Sequence, residues 1–167
     1  MLALHITSMK LFMNQLLVSD VFDIFLLEEA VITTANTVTV DGHFNRSFYP
    51  PEETVPEISA DYEYSPWSTL KGLCFQLIKG KHTPLSFKFV FHLKPDIAEK
   101  LLSREGLSMD ECRLKALVLT VRYDGSKTLL TTACSYDSFV MTKEPDRIWD
   151  TAMSRYLTDK GIPCEVL

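Results

Sequence analysis

The chain has 167 residues, a net charge of −5 at pH 7 and a sequence pI of about 5.3. A chain of this length can bury a core large enough to fold without a disulfide or a metal ion. The acidic balance argues against nucleic acid as a partner, because phosphate binding needs a basic surface.

The N-terminal region and the cysteines indicate a cellular compartment. Apolar residues recur periodically in the first twenty positions and form no continuous run, so we expect neither a signal peptide nor a membrane partner. The four cysteines show no C-x-x-C spacing and the four histidines show no metal-ligand spacing, which predicts reduced thiols in a cytoplasmic protein without metal or cofactor. These residues are Cys74, Cys112, Cys134 and Cys164, with His5, His43, His82 and His92.

In chain order, the first half of the sequence predicts a strand, a helix, two hairpin strands and a second helix. The turn signal Asp41-Gly42 offers an early end for the second hairpin strand. Ser65 as N-cap and Pro66 as first residue open the second helix, and Gly80 ends it. The predicted ranges are 2–6 for the first strand, 9–17 for the first helix, 25–34 and 37–44 for the hairpin, and 66–80 for the second helix.

The strand that follows has the strongest pattern in the sequence. Every second residue is a large apolar one, and mostly polar residues stand between them, so one face is buried and the other is half polar. Three phenylalanines on one face need a broad apolar partner, which predicts helices packed against that face. The apolar positions are Leu85, Phe87, Phe89, Phe91 and Leu93.

The second half repeats the order of the first. After the strand at 85–93, the predicted elements are a helix from Pro95, hairpin strands at 117–123 and 128–136, and a helix from Pro145 that ends at Gly161.

Both halves therefore have the order strand–helix–strand–strand–helix, and the sequence admits an internal duplication with halves 1–80 and 84–161. Residue identity between the halves is negligible, so the repeat is one of pattern. We expect one α+β domain over residues 1–167, with antiparallel strands in one sheet or two and about four helices on the apolar faces. Clefts between pseudo-symmetric halves are common ligand sites. The order also resembles the duplicated modules of gyrase-inhibitor-like effector-binding domains, an analogy of fold that implies no function by itself.

Residues 46–64 differ in composition from the rest. They contain three prolines and five acids against one base. A long loop is unusual inside a compact domain, so we expect either a short helical turn at 51–54 or a mobile flap.

The basic residues around the central turn are the main candidate for ligand binding. Residues 65–94 contain five lysines and no acid, which suggests an anion-binding surface gated by the acidic segment 46–64. Aromatic side chains beside lysines suit an anionic, partly apolar ligand. The alternative is that the acidic segment lies across the basic face, or that both are ordinary solvated surfaces, since charged surface groups are common and their pairs are weak. The residues assigned to this site are Trp67, Lys79, Lys81 and His82, with Tyr62 and Tyr64 on the flap.

Two patterns raise the possibility of catalysis. Ser68 and Lys71 match S-x-x-K at a helix start, but the companion motifs of penicillin-binding enzymes are absent. Glu28 and Glu29 are adjacent on a strand and point to opposite faces, so they form no acid–base pair, although one of them could act as a general base in an apolar pocket.

Three functions remain open from the residues alone. The first is a non-enzymatic binding module for a small molecule or a protein. The second is a scaffolding protein that self-associates through a strand edge. The third is a small enzyme with a buried glutamate as base. The sequence leaves the ligand, the partner and the oligomeric state undetermined.

Two blocks of the sequence resemble a known family. They are "FMNQLLVSDVFDIFLLEEAVITTANTVTVDGHFN" and "EYSPWSTLKGLCFQLIKGKHTPLSFKFVFHL". Both are similar to an uncharacterised domain-of-unknown-function family of Clostridia-type (Firmicutes) gut bacteria, and the similarity spans nearly the whole chain. The resemblance implies a cytoplasmic bacterial protein and carries over no catalytic or binding residue.

Overall fold

The structure is a computed structural model that describes residues 1–54 and 61–167. Its helices are α1 (Met9–Leu17), α2 (Trp67–Ile78), α3 (Pro95–Ser103) and α4 (Glu144–Asp159). Its strands are β1 (Ala3–Ile6), β2 (Phe25–Thr33), β3 (Thr37–Asp41), β4 (Ser65–Pro66), β5 (Ser86–Leu93), β6 (Leu114–Tyr123), β7 (Thr128–Tyr136) and β8 (Cys164–Val166).

The strands of the described residues form one antiparallel sheet in the order β3-β2-β5-β6-β7-β1-β8, and β4 pairs with the start of β2. Hairpins join β2 to β3 and β6 to β7, in agreement with the two hairpins predicted from the sequence. The predicted fold class, an α+β domain with an antiparallel sheet and four helices, is confirmed.

The internal duplication is not confirmed by the strand pairing. In the second half, β5, β6 and β7 are consecutive neighbours in the sheet. In the first half, β1 is a neighbour of neither β2 nor β3, because it lies between β7 and β8. Strand β2 pairs with β5, so the two halves share one sheet and one core.

The core lies between one face of the sheet and the helices. Phe87, Phe89 and Phe91 are at most 3% exposed, which confirms the predicted apolar face of β5. Trp67 of α2 contacts Phe89 and Phe91 edge-on, and Trp149 of α4 contacts a further sheet phenylalanine in the same way. Helix α4 buries one apolar stripe, which consists of Ile148, Trp149, Met153 and Leu157. Leu85 alone departs from the pattern: it precedes the strand and is 66% exposed.

The opposite face of the sheet carries the alternate residues. In β5 these are Ser86, Lys88, Val90 and His92, all only partly buried. None of the described helices is long and apolar enough to cross a membrane.

Some element boundaries differ from the predictions. Ser65 and Pro66 form the short strand β4, and α2 begins at Trp67 with no side-chain cap. The predicted role of Ser65 as N-cap is therefore wrong: its amide donates to the carbonyl of Gly42 at 2.8 Å. Strand β3 ends at Asp41, which confirms the early turn signal.

Part of the acidic segment lies within the described residues. A 3-10 turn spans Arg46–Phe48, and the amide of Glu53 donates to the carbonyl of Pro50 at 3.0 Å. Residues 55–60, which belong to the predicted loop 46–64, lie outside the described residues.

Candidate functional site

A groove of about 510 Å³ opens between α1, the C-terminal end of α2 and the turn that leads to β5. Met9 and Met13 of α1 line one wall, and Phe75 and Ile78 of α2 line the other. Phe87 of β5 lies at its base and belongs to the core. All four wall residues are half-buried, because each lies at the edge of the apolar stripe of its helix. The groove is therefore an opening in the helical layer that exposes apolar surface.

The rim of this groove is basic. Lys79, Lys81 and His82 line it from the turn after α2, and Lys10 lines it from α1. Helix α2 ends at Ile78, and the backbone of Lys79 is extended. The residues that follow Lys79 therefore lie along the rim of the groove. Among the described residues that line the groove, none is acidic.

The lysines of the central stretch fall into different environments. Lys71 donates to the Asp23 carboxylate at 2.8 Å and Lys88 lies 3.8 Å from Glu29, so both are paired. Lys79 and Lys81 have no carboxylate within 4 Å in the described part of the chain. The ammonium of Lys79 lies 5.9 Å from the ring centre of Phe75, which is a weak cation–π contact. Of these four lysines, only Lys79 and Lys81, at the C-terminal end of α2, remain candidates for binding an anion.

Trp67 is wrongly placed in the predicted binding surface. Its side chain is fully buried, and its indole N–H donates to the carbonyl of Leu16 at 2.9 Å. Leu16 lies in the last turn of α1, where the final carbonyls have no partner within the helix. The indole therefore closes the end of α1 and ties it to α2, which leaves no surface for a ligand.

Tyr62 and Tyr64 lie away from the lysines, near the other end of β5. The Tyr62 hydroxyl donates to Asp96 at 3.1 Å, and burial together with this bond raises the pKa of Tyr62 to about 12. Tyr64 lines a separate pocket of about 150 Å³ together with His92. Phe87 lines the groove and His92 lines this pocket, and the two residues are five positions apart on β5. Since strands rise about 3.3 Å per residue, the two sites are separated by roughly 17 Å along the strand.

Tyr64 lies between two histidine–carboxylate pairs. Its ring centre is 4.6 Å from that of His43 and 4.8 Å from that of His92. His92 pairs with Glu28 at 2.5 Å, and His43 pairs with Asp41 at 2.7 Å. Through these contacts the segment after β3, at His43, and the segment before α2, at Tyr64, pack against β2 and β5. No set of three metal-ligating side chains converges anywhere in residues 1–54 and 61–167.

The His43–Asp41 pair predicts a pH dependence. The hydrogen bond to Asp41 raises the pKa of His43, with smaller contributions from Glu63 and Glu28, and the pKa of Asp41 is lowered in turn, first by the backbone amide of His43. Because a raised histidine pKa stabilises the fold only while the ring is protonated, the contribution is present below about pH 6.5 and is lost as pH rises through the folded pKa. The lowered pKa of Asp41 adds stability above about pH 4.

In an NMR titration we therefore expect the His43 ring to titrate above about pH 6.5, and Asp41→Asn to lower that midpoint. An unchanged midpoint in the variant would show that the pair does not control the titration.

The arrangement of Glu28 and Glu29 gives no support to the enzyme hypothesis. Glu28 occupies a β-bulge opposite β5, so both glutamates contact the face of β5 that carries Lys88 and His92. The expectation that they point to opposite faces is therefore wrong. The side chain of Glu28 is 39% exposed and paired with His92, while Glu29 is 40% exposed and faces Lys88. Neither is a buried, unpaired base. The S-x-x-K lysine, Lys71, is likewise engaged with Asp23 in a structural contact.

The cysteines also lack the character of nucleophiles. All four are free thiols. Burial raises the pKa of Cys74 and of Cys134 to about 12, and it raises the pKa of Cys112 and Cys164 as well. A thiol is reactive as the thiolate, so these side chains favour packing over chemistry.

Sequence reasoning missed the contribution of α1 to the groove. Met9, Met13 and Lys10 belong to its wall and rim, although they are far from the lysines in sequence. The available signal was the pair of methionines at the edge of the stripe, since methionine is common at adaptable binding surfaces.

These features define an α+β protein whose antiparallel sheet is covered by helices on one face, with an apolar groove and a basic rim. The chain belongs to a family of unknown function, DUF5721, which matches residues 15–165. Neither the curated proteins nor the solved structures contain a match to the chain. The family agrees with the expected resemblance to an uncharacterised domain and assigns no role to any residue.

Proposed function

We propose that the protein is a non-enzymatic binding module that takes an anionic ligand with a flexible apolar chain into the groove between α1 and α2. One observation carries the proposal: an apolar groove has three lysines and a histidine on its rim and no acid among its described lining residues. This distribution is local, because the whole chain has a net charge of −5.

The chemistry of the wall indicates the kind of ligand. Methionine side chains are unbranched and adaptable, and they suit a flexible alkyl chain better than a rigid ring system. Lysine ammonium groups act as mobile point charges, which bind a carboxylate or a phosphate without a fixed geometry. A fatty-acid-like carboxylate, with its chain along Met13 and Phe75 and its head at Lys79 and Lys81, satisfies both ends of the groove.

The double variant Lys79→Ala/Lys81→Ala tests the proposal, with decanoate as probe and calorimetry as readout. We expect loss of decanoate binding with a change in the free energy of unfolding within about 0.5 kcal/mol, because both side chains are exposed and neither has an ion pair within the described residues. Decanol should bind the wild-type protein more weakly than decanoate, since it lacks the charge.

The matched control is Lys115→Ala/Lys143→Ala, which removes the same charge from two exposed positions outside the groove. It should bind decanoate as the wild type does. Equal binding by the two double variants would mean that the rim lysines hold no ligand.

The compartment and origin extend this proposal. We place the protein in a bacterial cytoplasm, which is supported by four free thiols and by the resemblance of its sequence blocks to proteins of Clostridia-type bacteria. Glu28 is paired with His92 and Lys71 with Asp23, which agrees with a protein that binds a ligand without catalysis.

Self-association through a strand edge is a second candidate function. The outer edge of β3 pairs with no other strand in the described part of the chain, and its sequence, Thr37–Asp41, is rich in β-branched residues. Sedimentation of the wild type and of Thr39→Pro separates the two functions. A dimer that the proline abolishes would support self-association, whereas a monomer in both would remove it.

A further inference from the structure

A second cavity, of about 310 Å³, lies between α3 and α4 on the helical face of the sheet. Leu93, Trp149 and Met153 form its base, and each is at most 4% exposed to solvent. Ile97 and Leu101 of α3 line its side. The core is therefore reachable from the surface at this point through an apolar opening.

Three cations surround this opening. Lys100 lies in the last turn of α3, Arg104 caps the C-terminus of that helix one turn further on, and Arg155 lies on α4. All three are exposed, and none has an ion pair within the described residues. The rim has one acid, Asp159, so cations exceed anions by two.

Helix dipoles explain only part of this arrangement. Lys100 and Arg104 lie near the C-terminal end of α3, where a cation is favoured. Arg155 does not lie in the last turn of α4, and its charge adds to the other two. Like charges four residues apart on a helix repel one another, and an anion bound between the helices would relieve this repulsion.

We propose that this cavity is a binding site for a compact apolar molecule that carries a phosphate or carboxylate group. Two guanidinium groups present planar forks of donors, which match the oxygens of such a group by paired hydrogen bonds. The cavity volume is at the lower end of the range for small-molecule sites, and Trp149 provides an aromatic surface for a ring. The site thus differs from the larger groove between α1 and α2 in both volume and the cations on its rim.

Calorimetry with 1-naphthyl phosphate at low salt tests this site. We expect the wild type to bind it, and to bind the neutral analogue 1-naphthol at least about tenfold more weakly, because the charge-assisted hydrogen bonds are lost. The double variant Arg104→Gln/Arg155→Gln should bind the phosphate at least about tenfold more weakly than the wild type. No binding to the wild type, or equal affinity of the variant, would overturn the proposal.

Two control variants localise the effect. Arg147→Gln removes an exposed charge from the same helix at a position outside the cavity, and it should leave binding unchanged. Lys79→Ala/Lys81→Ala should also bind as the wild type does, since it alters the other groove. Loss of 1-naphthyl phosphate binding in the lysine variant would place the probe there and contradict a second site.

A cavity-filling variant tests for a different occupant. Ala152 lines the cavity and is half-buried, so Ala152→Trp should block the opening and abolish binding of the probe. Sedimentation of the same variant distinguishes the ligand from a second copy of the chain. A wild-type dimer that Ala152→Trp converts to monomer would assign the cavity to self-association and overturn the proposal.

Discussion

Trp67→Ala is expected to lower the free energy of unfolding by about 3–5 kcal/mol, the largest effect of any single truncation considered for this chain. The side chain is fully buried and its ring centre lies 5.4 Å from that of Phe89 and 5.0 Å from that of Phe91. Truncation would leave a cavity between α2 and β5, and it would leave the carbonyl of Leu16 without its donor. Urea unfolding followed by circular dichroism measures the change.

Two further variants separate packing from hydrogen bonding at this position. Trp67→Phe keeps most of the apolar volume and removes the indole N–H, so we expect a loss of about 1–3 kcal/mol from the unpaired carbonyl of Leu16. Leu73→Ala lies on the same helix but is 51% exposed, and it should change stability by less than about 0.5 kcal/mol. A near-neutral Trp67→Ala would show that Trp67 is not part of the core.

Gly42→Ala is expected to destabilise the protein by about 3 kcal/mol, at the upper end for steric overpacking. A β-carbon at this position would lie 1.6 Å from the carbonyl oxygen of Leu27, so the backbone must move. The Gly42 amide donates to the carbonyl of Glu28 at 2.8 Å, and its carbonyl accepts from the amide of Ser65 at 2.8 Å. The glycine therefore passes between β2 and β4 where only a hydrogen atom fits.

Hydrogen exchange gives the most specific readout for this variant. We expect faster exchange at the amides of Gly42 and Ser65 than in β6, because the added methyl separates β4 from β2. Gly72→Ala is the matched control: nothing lies within 4 Å of the new β-carbon, and alanine in a helix interior should add about 0.5–1 kcal/mol of stability. Equal effects of the two substitutions would contradict the close approach at Gly42.

Local patterns predicted the elements of this fold well. Alternation at Phe87, Phe89 and Phe91 predicts a half-buried strand, because the pleat places every second side chain on one face. The helical stripe through Trp149 and Met153 predicts α4 for the corresponding reason, since residues three and four apart share a face. Each of these patterns depends on neighbours in sequence and needs no knowledge of the rest of the chain.

The order of strands could not be obtained in this way. Strand β1 lies between β7 and β8, and β2 pairs with β5, so these contacts join segments that are distant in sequence. The repeated order of elements gives no information about which edges meet. Strand β8 is only three residues long, and its position follows from the turn at Gly161 and from pairing with β1.

The same difference between local patterns and contacts of distant segments applies to the candidate site. Lys79, Lys81 and His82 lie within four consecutive residues and all line the groove, as their closeness in sequence suggested. Trp67 belongs both to the apolar stripe of α2 and to the aromatic set assigned to the site, and its burial shows that the stripe decides its position. The methionines of α1 reach the groove only through packing of α1 beside α2, which no local pattern encodes.

The groove between α1 and α2 is proposed to hold an anionic, apolar ligand. NMR chemical-shift mapping during a decanoate titration tests it most directly, because it reports the location of the ligand as well as its affinity. We expect the amides of Met13, Ile78, Lys79 and Lys81 to shift together in the wild type, and these shifts to vanish in Lys79→Ala/Lys81→Ala. Shifts confined to other surfaces, or none up to the solubility limit of decanoate, would contradict the claim.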